Sequence, residues 1–183
     1  MFVESTFREV GGAVFTLLLV GACVSDVQRR RIPNVLVLIL ALCGLGFSLV
    51  ANPIRPGAAH AAGGAAVGLV IWLPFWMMGK LGAGDVKLFA AAGAWLGPMG
   101  AVTGALAAAV CGGILTLGWL VHEQGVASTL RGIALRVLLL RGNAARAGVQ
   151  APSLLVVPAT RRVPYGLALA AGALLVAWLP ALA

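Results

Sequence analysis

Gly82-Ala83-Gly84-Asp85-Val86-Lys87-Leu88 opens the stretch that decides the fold, because no Asp, Glu, Lys or Arg follows until Glu123. The uncharged run 88–121 is 34 residues long. A single bilayer span takes about 20 apolar residues, so the run is too long for one. Gly97-Pro98 interrupts it, since proline removes a helix donor and glycine permits a turn. The run therefore reads as two helices, the first starting at or before Asp85.

Outward from this stretch, residues 10–25, 32–54, 56–79 and 163–183 are also free of Asp, Glu, Lys and Arg. Each has the length of one span, with Val10–Ser25 slightly short. The expected fold is all-α: a polytopic membrane protein with six transmembrane helices. Residues 1–183 form a single membrane domain with a cytoplasmic loop at about 122–162. Within that loop Leu130–Arg141 mixes Leu, Ile and Val with Arg131, Arg136 and Arg141. This pattern predicts an amphipathic helix on the inner leaflet. The first span is expected to be retained, because its flank carries Glu4, Arg8 and Glu9 rather than a basic leader region.

Composition agrees. Apolar residues make up 61% of the chain and charged residues only 10%. Too few polar residues remain to cover a water-facing surface. If Val10–Ser25 runs from outside to inside and the spans then alternate, 11 of the 13 basic residues face the cytoplasm, leaving only Arg8 and Arg55 outside. The positive-inside rule favours this orientation, with the N-terminus outside and the chain in a cytoplasmic membrane. The net charge of +8 is thereby explained by topology and anionic lipid, and no nucleic-acid partner is implied.

Only five acids occur: Glu4, Glu9, Asp26, Asp85 and Glu123. Asp26 and Asp85 lie at the cytoplasmic ends of the first and fourth helices, so the topology lets them meet. Two close carboxylates in a low-dielectric site do not readily both ionise. One then stays protonated while its partner draws a proton from water, which is the requirement of aspartyl proteolysis. Such a pair titrates as a unit, so neither role is assigned to either residue. Gly82 and Gly84 let the backbone before Asp85 approach a substrate or partner helix closely. The plainer reading of the two acids is as helix caps or salt-bridge partners of Arg29, Lys80 or Lys87.

The other motifs carry less. Cys23, Cys43 and Cys111 form no C-x-x-C pair and read as packing residues. Ser48 and His60 lack a peptidase setting, and His60 reads as solvated in an outer turn spanning Ala51–Gly57 and its surroundings. His122 and Glu123 lack a third ligand, so no metal or other cofactor is expected. Gly64 and Gly68 have the G-x-x-x-G spacing of close helix contacts in lipid.

Three elements in this order carry a family resemblance. Asp26 is followed after five residues by Ile32-Pro33-Asn34. Gly82-Ala83-Gly84-Asp85-Val86-Lys87-Leu88 continues through Ala91-Ala92-Gly93-Ala94-Trp95-Leu96-Gly97. Val163-Pro164-Tyr165-Gly166 opens the last helix. In these residues the chain resembles the type IV prepilin peptidases, membrane aspartyl peptidases of the GxGD class. The resemblance implies Asp26 and Asp85 as the catalytic pair. It implies Gly82, Gly84, Lys87, Pro33, Asn34, Pro164, Tyr165 and Gly166 as substrate-contacting or site-shaping residues. It also implies a pilin precursor as substrate, cut after a basic leader at the cytoplasmic face. The short form is similar to peptidases of Flp/Tad-type pili or to archaeal preflagellin peptidases. The paired C-x-x-C motifs of the full-length bacterial form do not occur, so N-methyltransferase activity is expected to be absent. The rival class is a non-enzymatic membrane transporter or pilus-assembly scaffold, with the acids as a proton or cation relay or a structural pair. The oligomeric state has no signal in the sequence.

Overall fold

The computed structural model describes residues 2–29, 31–51, 54–124 and 165–179. Among them every regular element is helical. α1 is Phe2–Arg29, α2 Asn34–Ala51, α3 Ile54–Met77, α4 Ala83–Gln124 and α5 Tyr165–Trp178. The chain divides into two units, Met1–Gly112 with Pro164–Ala183, and Gly113–Val163. Of the second, only the helical residues 113–124 are described. The proposed amphipathic segment Leu130–Arg141 lies outside the described residues.

Four helices, α1 to α4, are long and apolar enough to cross a membrane, against the six spans expected. The difference lies in two places. α5 has 14 residues, fewer than a perpendicular span needs. α4 is two helical stretches joined where the sequence places a break, with Gly97 at φ 72° and ψ 179°. Glycine accepts this backbone because it has no β-carbon.

The break carries its own support. In a continuous helix the Ala94 carbonyl would accept from residue 98, and Pro98 has no N–H to give. The Ser48 hydroxyl from α2 donates to that carbonyl instead, at 3.2 Å. His60 Nδ1 lies 3.4 Å from the same hydroxyl, and its ring fills the space beside Gly97. His60 thus belongs to the interior of α3 rather than to a solvated turn. The turn itself is shorter than expected: α2 runs to Ala51, and α3 takes up Pro56 and Gly57 in its first turn, where a missing proline N–H costs nothing.

Helix packing within the first unit relies on small residues. Gly64 and Gly93 bring the backbones of α3 and α4 into direct contact, and Gly68 lies against Phe89 and Ala90 one turn further. The G-x-x-x-G of α3 is therefore its face toward α4, as close contact in lipid requires. Gly172 of α5 packs on the Ala108 backbone of α4 in the same way. Between these contacts lies an apolar core of Phe15, Leu19, Ala22, Leu40, Leu88, Phe89, Leu169 and Ala173 among others.

α1 and α5 run antiparallel, pinned at one end by Trp178. Its indole N–H donates to Thr16 Oγ1 (3.1 Å), whose hydroxyl donates to the Gly12 carbonyl (2.7 Å). The other end is the candidate site. A Cβ at Gly64 or Gly93 has backbone in its way, whereas at Gly46 it meets nothing within 4 Å. Gly64→Ala and Gly93→Ala should each cost about 1–3 kcal/mol through overpacking. Gly46→Ala should be neutral or stabilising by about 0.5–1 kcal/mol. Thermal unfolding in detergent reads the contrast.

Candidate active site

Each element of the site heads a buried helical stripe. On α1, Phe15, Leu19 and Ala22 are buried at helical spacing, and Asp26 is the next position of that stripe. On α4, Asp85 precedes Leu88, Phe89 and Ala92, all buried. On α5, Gly166 precedes Leu169, Ala170 and Ala173, also buried. Positions three, four and seven apart share a helix face. The same periodicity that builds the core therefore turns both carboxylates and Gly166 toward the interior of the bundle.

The loop before α4 is fixed at both ends. α3 ends at Met77 and is closed by Gly79, whose φ of 69° suits a residue without a side chain. The Gly79 N–H donates to the Trp76 carbonyl and the Lys80 N–H to the Phe75 carbonyl, both at 2.9 Å. This is the Schellman arrangement that closes a helix end. Two residues on, α4 begins, and the Asp85 carboxylate reaches back to accept the Gly82 N–H at 3.2 Å. It is the third-position half of a capping box. The helix-cap reading of Asp85 thus describes one of its oxygens, Oδ2.

The other oxygen faces the second aspartate. A β-carbon built on Gly166 would lie 2.7 Å from Asp26 Oδ2 and 3.3 Å from Asp85 Oδ1. Both carboxylates therefore converge on one glycine. Asp26 accepts the Gly166 backbone N–H. Cys23, one turn earlier on α1, directs its thiol to the Gly166 carbonyl at 3.9 Å. Neither aspartate forms an ion pair with Arg29, Lys80 or Lys87 among the described residues. Both are half-buried.

The remaining sequence candidates spread more widely. Gly84 faces Ile32, whose Cβ would lie 3.4 Å from an added β-carbon, so the loop after α1 packs on the start of α4. Pro33 and Asn34 are exposed; α2 begins at Asn34, and the Pro33 carbonyl accepts the Leu36 and Val37 amides at 3.1 and 3.3 Å. Proline thus sits one position before the first turn of α2. Lys87 is exposed, two residues from Asp85 and off its buried stripe. Tyr165 is half-buried at the start of α5, and Pro164 lies outside the described residues. Cys23, read from the sequence as packing, touches the same glycine as Asp26. Its spacing of three from Asp26 places both on one face of α1 and was the available signal.

The fold and the site define a class: a multi-pass helical membrane protein with two carboxylates converging at helix ends inside its bundle. The chain belongs to the type IV leader peptidase family, whose model matches residues 13–117, more than half of the sequence. Curated relatives named prepilin leader peptidase/N-methyltransferase match it in part. The protein of Klebsiella pneumoniae is 39% identical over 94 residues, covering 48% of this chain and 41% of the relative. That of Pectobacterium carotovorum subsp. carotovorum is 36% identical over 115 residues, covering 60% and 41%. That of Xanthomonas campestris pv. campestris is 34% identical over 119 residues, covering 60% and 40%. The chain thus spans about two fifths of the length of these relatives. No solved structure matches.

The two glycines before Asp85 should respond differently to alanine. At Gly82 the new methyl meets Asp85 Oδ2 at 3.0 Å, while at Gly84 it makes ordinary contact with Ile32. Gly82→Ala should lower stability by about 1–2 kcal/mol as the capping bond is disturbed. Gly84→Ala should be neutral or better, because alanine favours the helix. Unfolding midpoints of the two variants test this.

Proposed function

We propose that this protein is an aspartic-type membrane endopeptidase that removes the basic leader from pilin-like precursors at the cytoplasmic membrane face. Asp26 and Asp85 are its catalytic pair. The observation that carries the proposal is the convergence of both carboxylates on Gly166. Membership in the leader peptidase family and the names of the relatives support the substrate class.

The chemistry follows from the pair. Two facing carboxylates in a half-buried site hold one proton between them. The ionised member accepts a proton from the attacking water, and the protonated member donates a hydrogen bond to the scissile carbonyl. The amide nitrogen then leaves with the proton taken from water, and the pair returns to its starting state. No metal or cofactor enters this scheme. The amides of Gly82 and Gly166 each hold one carboxylate, so the reacting groups need little reorganisation. Because the peptide backbone must be reached, the substrate helix unwinds where it meets the pair.

The proposal includes the finer topology: six crossings with the halves of α4 counted separately, the N-terminus outside and the pair at the inner boundary. Flp/Tad-type pilins are the proposed substrates. Only the peptidase half of the relatives' double name is proposed for this chain, since the C-x-x-C pairs tied to methylation by resemblance do not occur in it. Lipid and the precursor are the partners, and nucleic acid is not.

Co-expression with a tagged pilin precursor tests the catalytic pair. Asp26→Asn and Asp85→Asn, each inserted and folded as wild type, should slow processing by about 10²–10⁴-fold. Normal processing by either variant refutes the pair, whereas a precursor left uncut by the wild type leaves the transporter or scaffold reading in its place. Orientation is tested in a background without Cys23, Cys43 and Cys111. In intact cells a membrane-impermeant maleimide should label Arg8→Cys at once but Gln28→Cys only after the membrane is opened. The reverse order refutes the orientation.

A further inference from the structure

Gly166 is the point where three constraints meet, and each has a different physical origin. Its N–H is held by the Asp26 carboxylate, and its carbonyl receives the Cys23 thiol, so α1 grips both backbone groups of one residue. The α-hydrogen that a β-carbon would replace faces both carboxylates, at the distances given above for that built atom. A real methyl at 2.7 Å from an aspartate oxygen is inside van der Waals contact and displaces it. Gly166 also lies in the first turn of α5, where backbone N–H groups have no partner within their own helix. Asp26 therefore caps a helix other than its own, and the positive end of α5 points at the pair.

Resting on the peptidase reading, we propose that Gly166 is a positioning residue for the aspartate pair: its amide orients Asp26, and its missing side chain sets the gap between the two carboxylates. The residue is buried and packs at the helix interface, so its contribution passes through Asp26 and Asp85 rather than through contact with substrate. A purely structural glycine would lose stability on substitution without a selective effect on the chemical step. A positioning glycine loses the chemical step while substrate binding stays. The pin at the far end of α5, Trp178 on Thr16, keeps the helix docked when the near end is altered.

Two variants separate bulk from hydrogen bonding. Gly166→Ala adds the methyl and keeps the N–H. Glycolic acid at position 166, introduced by nonsense suppression, replaces the N–H by an oxygen and adds no bulk. Purified wild type, both variants, Asp26→Asn and Asp85→Asn are assayed in detergent on a synthetic leader peptide spanning the scissile bond. The proposal expects kcat of Gly166→Ala to fall by about 10²-fold, as a misplacement near 1 Å costs. The ester should lose about tenfold, the equivalent of one hydrogen bond. KM should change less than about threefold in both. Wild-type kcat in a folded Gly166→Ala protein overturns the gap argument. If that variant fails to fold, the ester decides: unchanged kcat overturns the proposal. A rise in KM with kcat unchanged also overturns it. Full activity of either asparagine variant, by contrast, refutes the aspartate pair and the inference with it, whereas no cleavage by the wild type refutes the peptidase reading itself.

Discussion

Apolar side chains gain little by leaving lipid for one another, so a helical bundle in a bilayer is held by close backbone contact and by hydrogen bonds. The first unit of this protein shows both. Gly64 against Gly93 and Gly172 against Ala108 let backbones touch where larger residues would hold helices apart. Hydrogen bonds then fix rotation and register: Trp95 Nε1 on the Leu40 carbonyl at 2.8 Å, Ser48 on Ala94 and Trp178 on Thr16. A carboxylate placed at the end of such a helix inherits this precision. Without it, two aspartates on different helices would share a membrane side but not a site.

The acids are the expensive part of the arrangement. A carboxylate in a half-buried position needs donors. Here each receives a backbone amide from the start of a helix, Asp85 from its own and Asp26 from α5. Among the described residues no lysine or arginine pairs with either carboxylate. Backbone donors cannot be withdrawn by rotamer changes, and they neutralise less charge than an arginine would. The pair is thereby held without being locked into two fixed anions, which suits carboxylates that must exchange a proton.

Much of this was legible in the sequence, and the reasons are local. Uncharged runs mark helices, Gly97-Pro98 marks the break in α4, and Asp26 and Asp85 follow or precede apolar stripes by whole helical turns. Those signals depend only on residue type and spacing. What stayed hidden depends on pairing between distant segments. The G-x-x-x-G of α3 did not name Gly93 as its partner, because any small-residue face satisfies it. His60 looked like a turn residue because Pro53, Pro56 and Gly57 around it read as breakers, whereas α3 places Pro56 and Gly57 in its first turn, where both are tolerated. Cys23 read as packing because the residue it touches lies 143 positions away. The sequence places the acids on one side of the bundle; only the structure brings Gly166 between them.

The discontinuity at Gly97 has a mechanical meaning. Twelve residues of helix separate it from Asp85, an arm of about 18 Å at 1.5 Å per residue. With that arm, a pivot of only about 3° would swing the carboxylate by roughly 1 Å, the scale on which catalytic alignment is lost. Ser48 and His60 sit at the fulcrum. Side chains on α2 and α3, at the far end of the arm from the two acids, thus govern how steadily one of those acids is aimed.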